Sequence, residues 1–211
     1  MFWQKKAYDR ATSLAAADKA RGRGRVRKAI SCYSTILAHD PDDHQVHARV
    51  APLLARRGRR EVARKSFDAA GGGYLRAGFA DKAIAVWTVA AHHFPEDVES
   101  WERIANEQVM RGRKADAIKT LLQGRSQLRA RRQRPLAILL LRQVLALQSV
   151  HFDATLDLAQ LLAREGAKPE GEQLLRELCP LVTGRTVRRL RAAQFRLTPN
   201  LQYALGWLLA R

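Results

Sequence analysis

Large and small apolar side chains recur at helical spacing along most of the chain. The clearest stretch lies between positions 67 and 95, where Phe67, Tyr74 and Trp87 are large and Gly71 and Ala83 are small. Within each predicted helix these residues are three, four or seven positions apart, so they share one helical face. The pattern predicts two antiparallel helices that pack large side chains against small ones.

Glycine and proline mark the ends of the predicted helices. Gly78 separates the two helices of this stretch, and Pro95 ends the second. Gly71 suits a close helix crossing, whereas Gly72 and Gly73 have no evident packing partner, so the sequence allows a kink there. The first helix of this stretch is predicted over about residues 61–77. Further helices are predicted over about residues 7–21, 26–38, 44–57, 187–197 and 201–209.

The pattern repeats at a longer interval. Two sets of residues recur every 54 positions: the turn glycines Gly58, Gly112 and Gly166, and the large residues Phe67, Leu121 and Leu175. This interval predicts a three-helix unit with a leading helix, a shared helix and a trailing helix. The shared helix closes one helix pair and opens the next.

The spacing of large, small and proline positions resembles the tetratricopeptide repeat, a helix-turn-helix of 34 residues. Ala29, Tyr33 and Pro41 stand at the same mutual spacing as Ala83, Trp87 and Pro95. The resemblance covers about residues 10–185. It implies an all-α, right-handed solenoid of antiparallel helix pairs with about 12 helices. The expected organisation is a repeat array over residues 1–185 and C-terminal capping helices over residues 186–211.

The resemblance also implies a function and a place for it. Proteins of this family bind peptides or partner domains in a concave groove, so we expect an interaction scaffold. By position, the groove residues would be Gln45, Lys65, Asp68, Glu99, Glu102, Asn106, Lys119, Asp153 and Gln160. Some family members hold acidic C-terminal tails in a clamp of Lys, Asn and Arg side chains. Acidic residues at 99, 102 and 153 argue against that clamp here.

Catalytic and metal-binding motifs are missing from the sequence. It contains no His-Glu-x-x-His, no Gly-x-Ser-x-Gly and no glycine loop followed by Gly-Lys-Ser/Thr. His39, His44 and His47 form the one histidine cluster to be considered for metal binding, and capping or solvent-exposed roles suit them better than a metal site. We therefore expect no enzymatic activity and no cofactor.

Charge changes the expected choice of partner. The net charge is +18, and arginine supplies 29 of the 38 basic residues. If helices alternate in direction, three basic turns lie on one long edge, which predicts a basic edge. Its residues are Arg23, Arg25, Arg56, Arg57, Arg59, Arg60, Arg131, Arg132 and Arg134. Such an edge favours an acidic protein partner or, as the alternative function, nucleic acid or another anionic surface. It is also consistent with solvated turns alone.

Several features of the sequence limit the function classes and the expected location. Most large aromatic residues stand at repeat-core positions, which argues against base stacking. Cys32 and Cys179 lie far apart and define no disulfide framework. The N-terminus lacks the apolar run of a signal peptide, and residues 136–147 are too few to span a bilayer. We expect a cytoplasmic protein with no transmembrane segment.

Overall fold

The fold is described from a computed structural model for residues 8–199, and over that range it contains eleven α-helices and no strand. The prediction of an all-α fold is confirmed. The helices are α1 Arg10–Gly22, α2 Val26–His39, α3 His44–Arg56, α4 Arg60–Arg76, α5 Ala80–His93, α6 Val98–Met110, α7 Lys114–Gln127, α8 Arg134–Leu147, α9 Phe152–Arg164, α10 Lys168–Leu178 and α11 Arg185–Leu197. Short 3-10 turns precede α8 and follow α10. The helix predicted over residues 201–209 lies outside the described residues.

The chain divides into two compact units, Met1–Phe94 and Pro95–Arg211. Helices α1 to α5 belong to the first unit and α6 to α11 to the second. The first unit is built around buried Tyr33 and Phe67. The second has Trp101 and Leu141 among its largest buried side chains.

The tight turns between helices share one backbone geometry. Gly58 has a φ of +73°, a conformation in which a Cβ atom would be strained. The N–H of Arg59 then donates to the carbonyl oxygen of Leu54 at 3.0 Å, which closes the end of α3 in a Schellman motif. The same φ sign and closing hydrogen bond occur at Gly24, Gly78, Gly112 and Gly166.

The 54-residue interval corresponds to three mutually packed helices. In the first unit, α4 packs on both α3 and α5, and α3 also contacts α5. In the second unit the same arrangement occurs twice, with α7 between α6 and α8 and with α10 between α9 and α11. The leading, shared and trailing helices predicted from the sequence are therefore present. Phe67, Leu121 and Leu175, the large residue of each shared helix, are almost fully buried.

The glycines of α4 all lie inside an uninterrupted helix. Gly71 faces the indole of Trp87, to which an added Cβ would approach within 2.3 Å. Gly73 faces His44 of α3, and an added Cβ would lie 2.3 Å from the His44 Cβ. The expectation that Gly73 has no packing partner is wrong, and α4 runs from Arg60 to Arg76 without a break. Of the three glycines, Gly72 alone has room for a Cβ, which would lie in ordinary contact distance, 3.4 Å, from the end of the Arg76 side chain.

Helix α3 begins at a buried acidic cap. The Asp43 side chain accepts a hydrogen bond from the Val46 N–H at 3.0 Å, which satisfies one of the free amides of the first turn. Asp43 also pairs with Arg10 of α1 at 2.6 Å. One carboxylate thus starts α3 and ties it to α1.

The last described helix packs on its two predecessors. Leu190, Ala193 and Leu197 of α11 are buried against Leu175 of α10 and Ala159 of α9. An apolar face that shields the preceding pair supports a capping role for this helix, which stays a prediction.

A polar network joins three helices of the first unit. The Tyr33 hydroxyl of α2 donates to Asp18 of α1 at 2.5 Å, and Arg49 of α3 pairs with the same carboxylate. Burial by itself raises the pKa of Asp18, but the hydrogen bonds from Tyr33 and Arg49 outweigh it and lower that pKa. Burial, together with the bond to Asp18, raises the pKa of Tyr33 to about 12.

Tyr33→Phe is expected to destabilise the fold by about 0.5–1.5 kcal/mol, because the half-buried Asp18 carboxylate loses a hydrogen-bond donor but keeps Arg49. An unfolded tyrosine ionises near pH 10, so the Tyr33 contribution is complete below pH 10 and is lost as the pH rises through about 12. Urea denaturation of both proteins from neutral pH to pH 12 measures this. Equal stability of the two proteins at neutral pH would contradict the role assigned to Tyr33.

Candidate partner-binding site

A cleft of about 330 Å³ opens between α9 and α11 in the second unit. Its apolar part consists of Leu156, Ala192 and Ala193. The remaining lining residues are polar or charged: Asp153, Asp157, Gln160, Arg189 and Arg196. The volume of this cleft lies at the lower end of the range for ligand pockets, and its lining is more polar than is usual for them.

Helical spacing on both sides forms this cleft. Asp153, Asp157 and Gln160 follow each other at four and three positions along α9, so they share one face. The opposite face of α9 carries buried Leu158 and Leu162, which fix its orientation. On α11, Ala192 has a small side chain that leaves space between the helices.

Both acids of the cleft are ion-paired. Asp153 accepts a hydrogen bond from Arg189 at 2.6 Å, and Asp157 accepts one from Arg125 of α7 at 2.8 Å. Within residues 8–199, neither Gln160 nor Arg196 makes a hydrogen bond or an ion pair. The groups left for a ligand are therefore one amide and one guanidinium.

Ion pairs of this kind tie alternate helices together in both units. Arg49 of α3 pairs with Asp18 of α1, and Asp157 of α9 pairs with Arg125 of α7. Positions 49 and 157 are equivalent at twice the 54-residue interval, but their charges are reversed. Both equivalent positions therefore form an ion pair with the helix two before their own, although position 49 is basic and position 157 is acidic.

The predicted groove residues are distributed over both units. Asp153 and Gln160 lie together in the cleft. Glu99 pairs with Arg103 in its own helix at 2.5 Å, and Glu102 accepts a hydrogen bond from Gln143 of α8. The remaining predicted groove residues are exposed on α3, α4, α6 and α7, and none of them lines the cleft: Gln45, Lys65, Asp68, Asn106 and Lys119.

The prediction did not include the α11 side of the cleft. Arg189 and Arg196 lie beyond the periodic part of the sequence, in a segment expected only to cap the array. The signal that could have located them is their spacing of seven, which places them on one face of α11.

Four of the nine arginines predicted for the basic edge line two cavities of the first unit: Arg23, Arg25, Arg56 and Arg57. A cavity of about 650 Å³ lies between the α1–α2 turn and the end of α3. The residues that line it are Gly24, Arg25, Val26, Arg27, Lys28, Arg56 and Arg57. A second cavity, of about 210 Å³, is lined by Ala16, Lys19, Ala20, Arg23, Arg25 and Lys28. We call the cations of these two cavities the basic turn pair.

The other arginines predicted for this edge have different surroundings. The guanidinium of Arg60 lies 4.9 Å from the centre of the Phe94 ring. In the second unit, Arg134 pairs with Glu165 at 3.1 Å. Arg131 and Arg132 line a cavity of about 520 Å³ together with that glutamate. Arg59 is exposed at the start of α4.

Comparison with known proteins identifies the family. The sequence model of the tetratricopeptide repeat matches residues 14–73 and 121–186, which is more than half of the chain. The chain belongs to the tetratricopeptide repeat family. Repeats of this family generally form non-enzymatic scaffolds for protein–protein interaction. No curated protein sequence matches this tetratricopeptide repeat protein.

Solved structures with similar folds have low sequence identity to it. MamA is 17% identical, with 92% of this chain and 91% of MamA covered at a TM-score of 0.30. PilF from Pseudomonas aeruginosa is 15% identical, with 94% and 87% covered at a TM-score of 0.29. TPR-like repeats of a kinesin light chain from Podosopora anserina are 15% identical, with 90% and 97% covered at a TM-score of 0.42. Similarity at this level does not identify a function.

The three histidines considered for metal binding have separate neighbours in this repeat protein. His39 stacks on Tyr8 with ring centres 3.9 Å apart, and the His44 ring meets Tyr74 edge-on at 4.7 Å. His47 directs its Nε2 atom to a backbone carbonyl oxygen at 2.8 Å. Across residues 8–199, no group of three or more His, Cys, Asp or Glu side chains is arranged to hold a metal ion. Over the same range, every helix is too short or too polar to cross a membrane.

Proposed function

We propose that this repeat protein is a non-enzymatic interaction scaffold that holds a segment of a partner protein in the α9–α11 cleft. The observation that carries the proposal is the composition of the cleft. It combines an apolar floor with two polar side chains, Gln160 and Arg196, that have no partner within residues 8–199. Family membership adds that such scaffolds generally bind proteins or peptides.

The cleft indicates which segment it would accept. Arg196 is exposed, so its guanidinium is available to a carboxylate of the partner. Gln160 offers an amide that both donates and accepts, which suits the backbone of a bound segment. Leu156 and Ala192 offer apolar contact to one side chain. We therefore expect a segment in which an apolar residue lies close to an acidic one.

Selection of peptides from a displayed library of random short sequences tests this. The wild-type protein is expected to enrich peptides with an apolar residue next to Asp or Glu. Arg196→Glu is expected to weaken binding of those peptides at least tenfold, because a charge-assisted hydrogen bond is replaced by repulsion. Isothermal titration calorimetry measures the affinities.

Arg185→Glu is the matched control. Arg185 is exposed on the same helix and carries the same charge, but it does not line the cleft. Equal losses in both variants would contradict the cleft as the binding site. Gln160→Ala provides an independent check from the α9 side, and unchanged affinity in it and in Arg196→Glu would exclude the proposal.

A further inference from the structure

The basic turn pair is a cluster of cations without an acidic neighbour in either cavity lining. Seven basic residues line the two cavities of the first unit: Lys19, Arg23, Arg25, Arg27, Lys28, Arg56 and Arg57. None of them makes an ion pair within residues 8–199. Other described arginines do make such pairs, among them Arg134 with Glu165 and Arg142 with Glu170. The positive charge of this cluster is therefore not offset by ion pairs, unlike that of Arg134 and Arg142.

Backbone groups at the same place add to the positive field. Arg25 and Arg59 occupy the N-cap positions of α2 and α4, and a guanidinium has no acceptor for the free N–H groups of the first turn. Asp or Ser at these positions would offset the positive end of the helix dipole. Arginine increases the positive charge there instead. Glu61 is the acid in the first turn of α4, whereas the first turn of α2 has none.

We propose that the basic turn pair binds the phosphodiester backbone of nucleic acid without regard to base sequence. It lies on turns and not in the groove typical of the family, so this inference does not depend on the proposed peptide cleft. Five of the seven cations are arginine, whose planar guanidinium binds phosphate oxygens in pairs. No aromatic side chain lines either cavity, so contacts to stacked bases are not available there.

The exposure of these cations favours nucleic acid over an acidic peptide. All seven are solvent-exposed, and a single exposed ion pair to a carboxylate contributes only about 0–1 kcal/mol. A nucleic acid strand carries condensed counterions that are released when cations approach, and this release makes exposed cations effective. Its regular charge also allows one strand to contact both turns.

Fluorescence anisotropy with a labelled oligonucleotide of mixed sequence, single-stranded and as a duplex, tests the proposal across a salt series. The wild-type protein is expected to bind at low salt. The triple variant Arg25→Gln, Arg27→Gln and Arg57→Gln removes three phosphate contacts. The slope of log K against log salt concentration should then fall in magnitude by about 2–3, since each contact contributes about 0.7–0.9.

A control variant separates a defined site from general charge. Arg76→Gln, Arg129→Gln and Arg185→Gln remove the same charge from exposed positions outside the turn pair. It should retain most of the wild-type affinity. Equal weakening of the two triple variants would overturn the proposal, because diffuse net charge would then explain the binding.

Two further measurements identify the ligand class and the location. Polyglutamate and vesicles containing phosphatidylserine serve as competitors, and either one binding as tightly as the oligonucleotide at equal salt would overturn the proposal.

In the wild-type protein, oligonucleotide should shift the NMR amide signals of Gly24 and Arg57 most strongly. Shifts centred elsewhere would contradict the site even if a variant failed to fold. Arg196→Glu is expected to weaken peptide binding in the cleft but to leave oligonucleotide binding intact. Failure of one proposal can therefore be distinguished from failure of the other.

Discussion

Trp101→Ala is expected to lower the free energy of unfolding by about 3–5 kcal/mol, the range for removing a large buried aromatic side chain. Trp101 is 2% exposed and fills the space beside Gly124 of α7, where an added Cβ would lie 2.7 Å from its Cγ. Its Nε1 atom donates to the Pro95 carbonyl oxygen at 3.1 Å. The alanine variant leaves a cavity and removes that donor, and both effects destabilise the second unit.

Met110→Ala is the control for this prediction. Met110 lies at the end of the same helix and is 82% exposed, so its truncation should change stability by less than about 0.5 kcal/mol. Urea denaturation followed by far-UV circular dichroism compares the two variants with the wild-type chain. Identical midpoints for Trp101→Ala and Met110→Ala would contradict the packing of Trp101 against α7.

Three adjacent glycines of α4 are expected to respond differently to alanine. Gly71→Ala and Gly73→Ala should each destabilise the first unit by about 1–3 kcal/mol, because the added methyl group overlaps the Trp87 indole or the His44 Cβ. This loss is net of the gain of about 1 kcal/mol that alanine gives in a helix. Gly72→Ala should be stabilising by up to about 1 kcal/mol, since it meets only the flexible end of Arg76.

Thermal unfolding of the three variants measures the order of stability. The order expected is Gly72→Ala above the wild type, and the wild type above both other variants. Stabilisation by all three substitutions would mean that helix propensity alone determines their effect. The account of α4 as a helix pressed against both of its neighbours would then be wrong.

The sequence predicted the helices and their grouping because both depend on local periodicity. Residues of one face recur every three or four positions, so Phe67 and Gly71 identify a packed face without knowledge of its partner. Turn glycines such as Gly58 and large residues such as Leu175 each recur at an interval of 54 residues. This interval predicted that the helices form groups of three. Turn glycines added the ends of the helices, since a positive φ requires a residue without a Cβ.

Contacts that depend on the register of separate helices could not be predicted in this way. Gly73 meets His44 because the end of α4 lies beside the start of α3, and that alignment depends on helix lengths and the turn between them. Ion pairs such as Arg125 with Asp157 join residues 32 positions apart, and nothing local specifies the partner. The cleft shares this property, because half of its lining comes from α11, beyond the periodic segment.

For the basic edge, too, the sequence predicted the charge but not the contacts of each arginine. The count of arginines indicated a basic surface but not which arginines remain unpaired. Arg134 and Arg57 are indistinguishable in the sequence, yet Arg134 has Glu165 beside it and Arg57 lines a cavity without an acid. The electrostatic character of each turn therefore depends on the neighbouring turn that folding brings to it.

Amide chemical-shift mapping with a selected peptide tests most directly that this scaffold binds its partner in the α9–α11 cleft. The ¹⁵N-labelled chain is titrated with the peptide that binds it most tightly. The largest shifts are expected at Asp153, Gln160, Arg189 and Arg196, with the first unit unaffected. Shifts confined to other helices, or none at saturating peptide, would contradict the cleft as the site of partner binding.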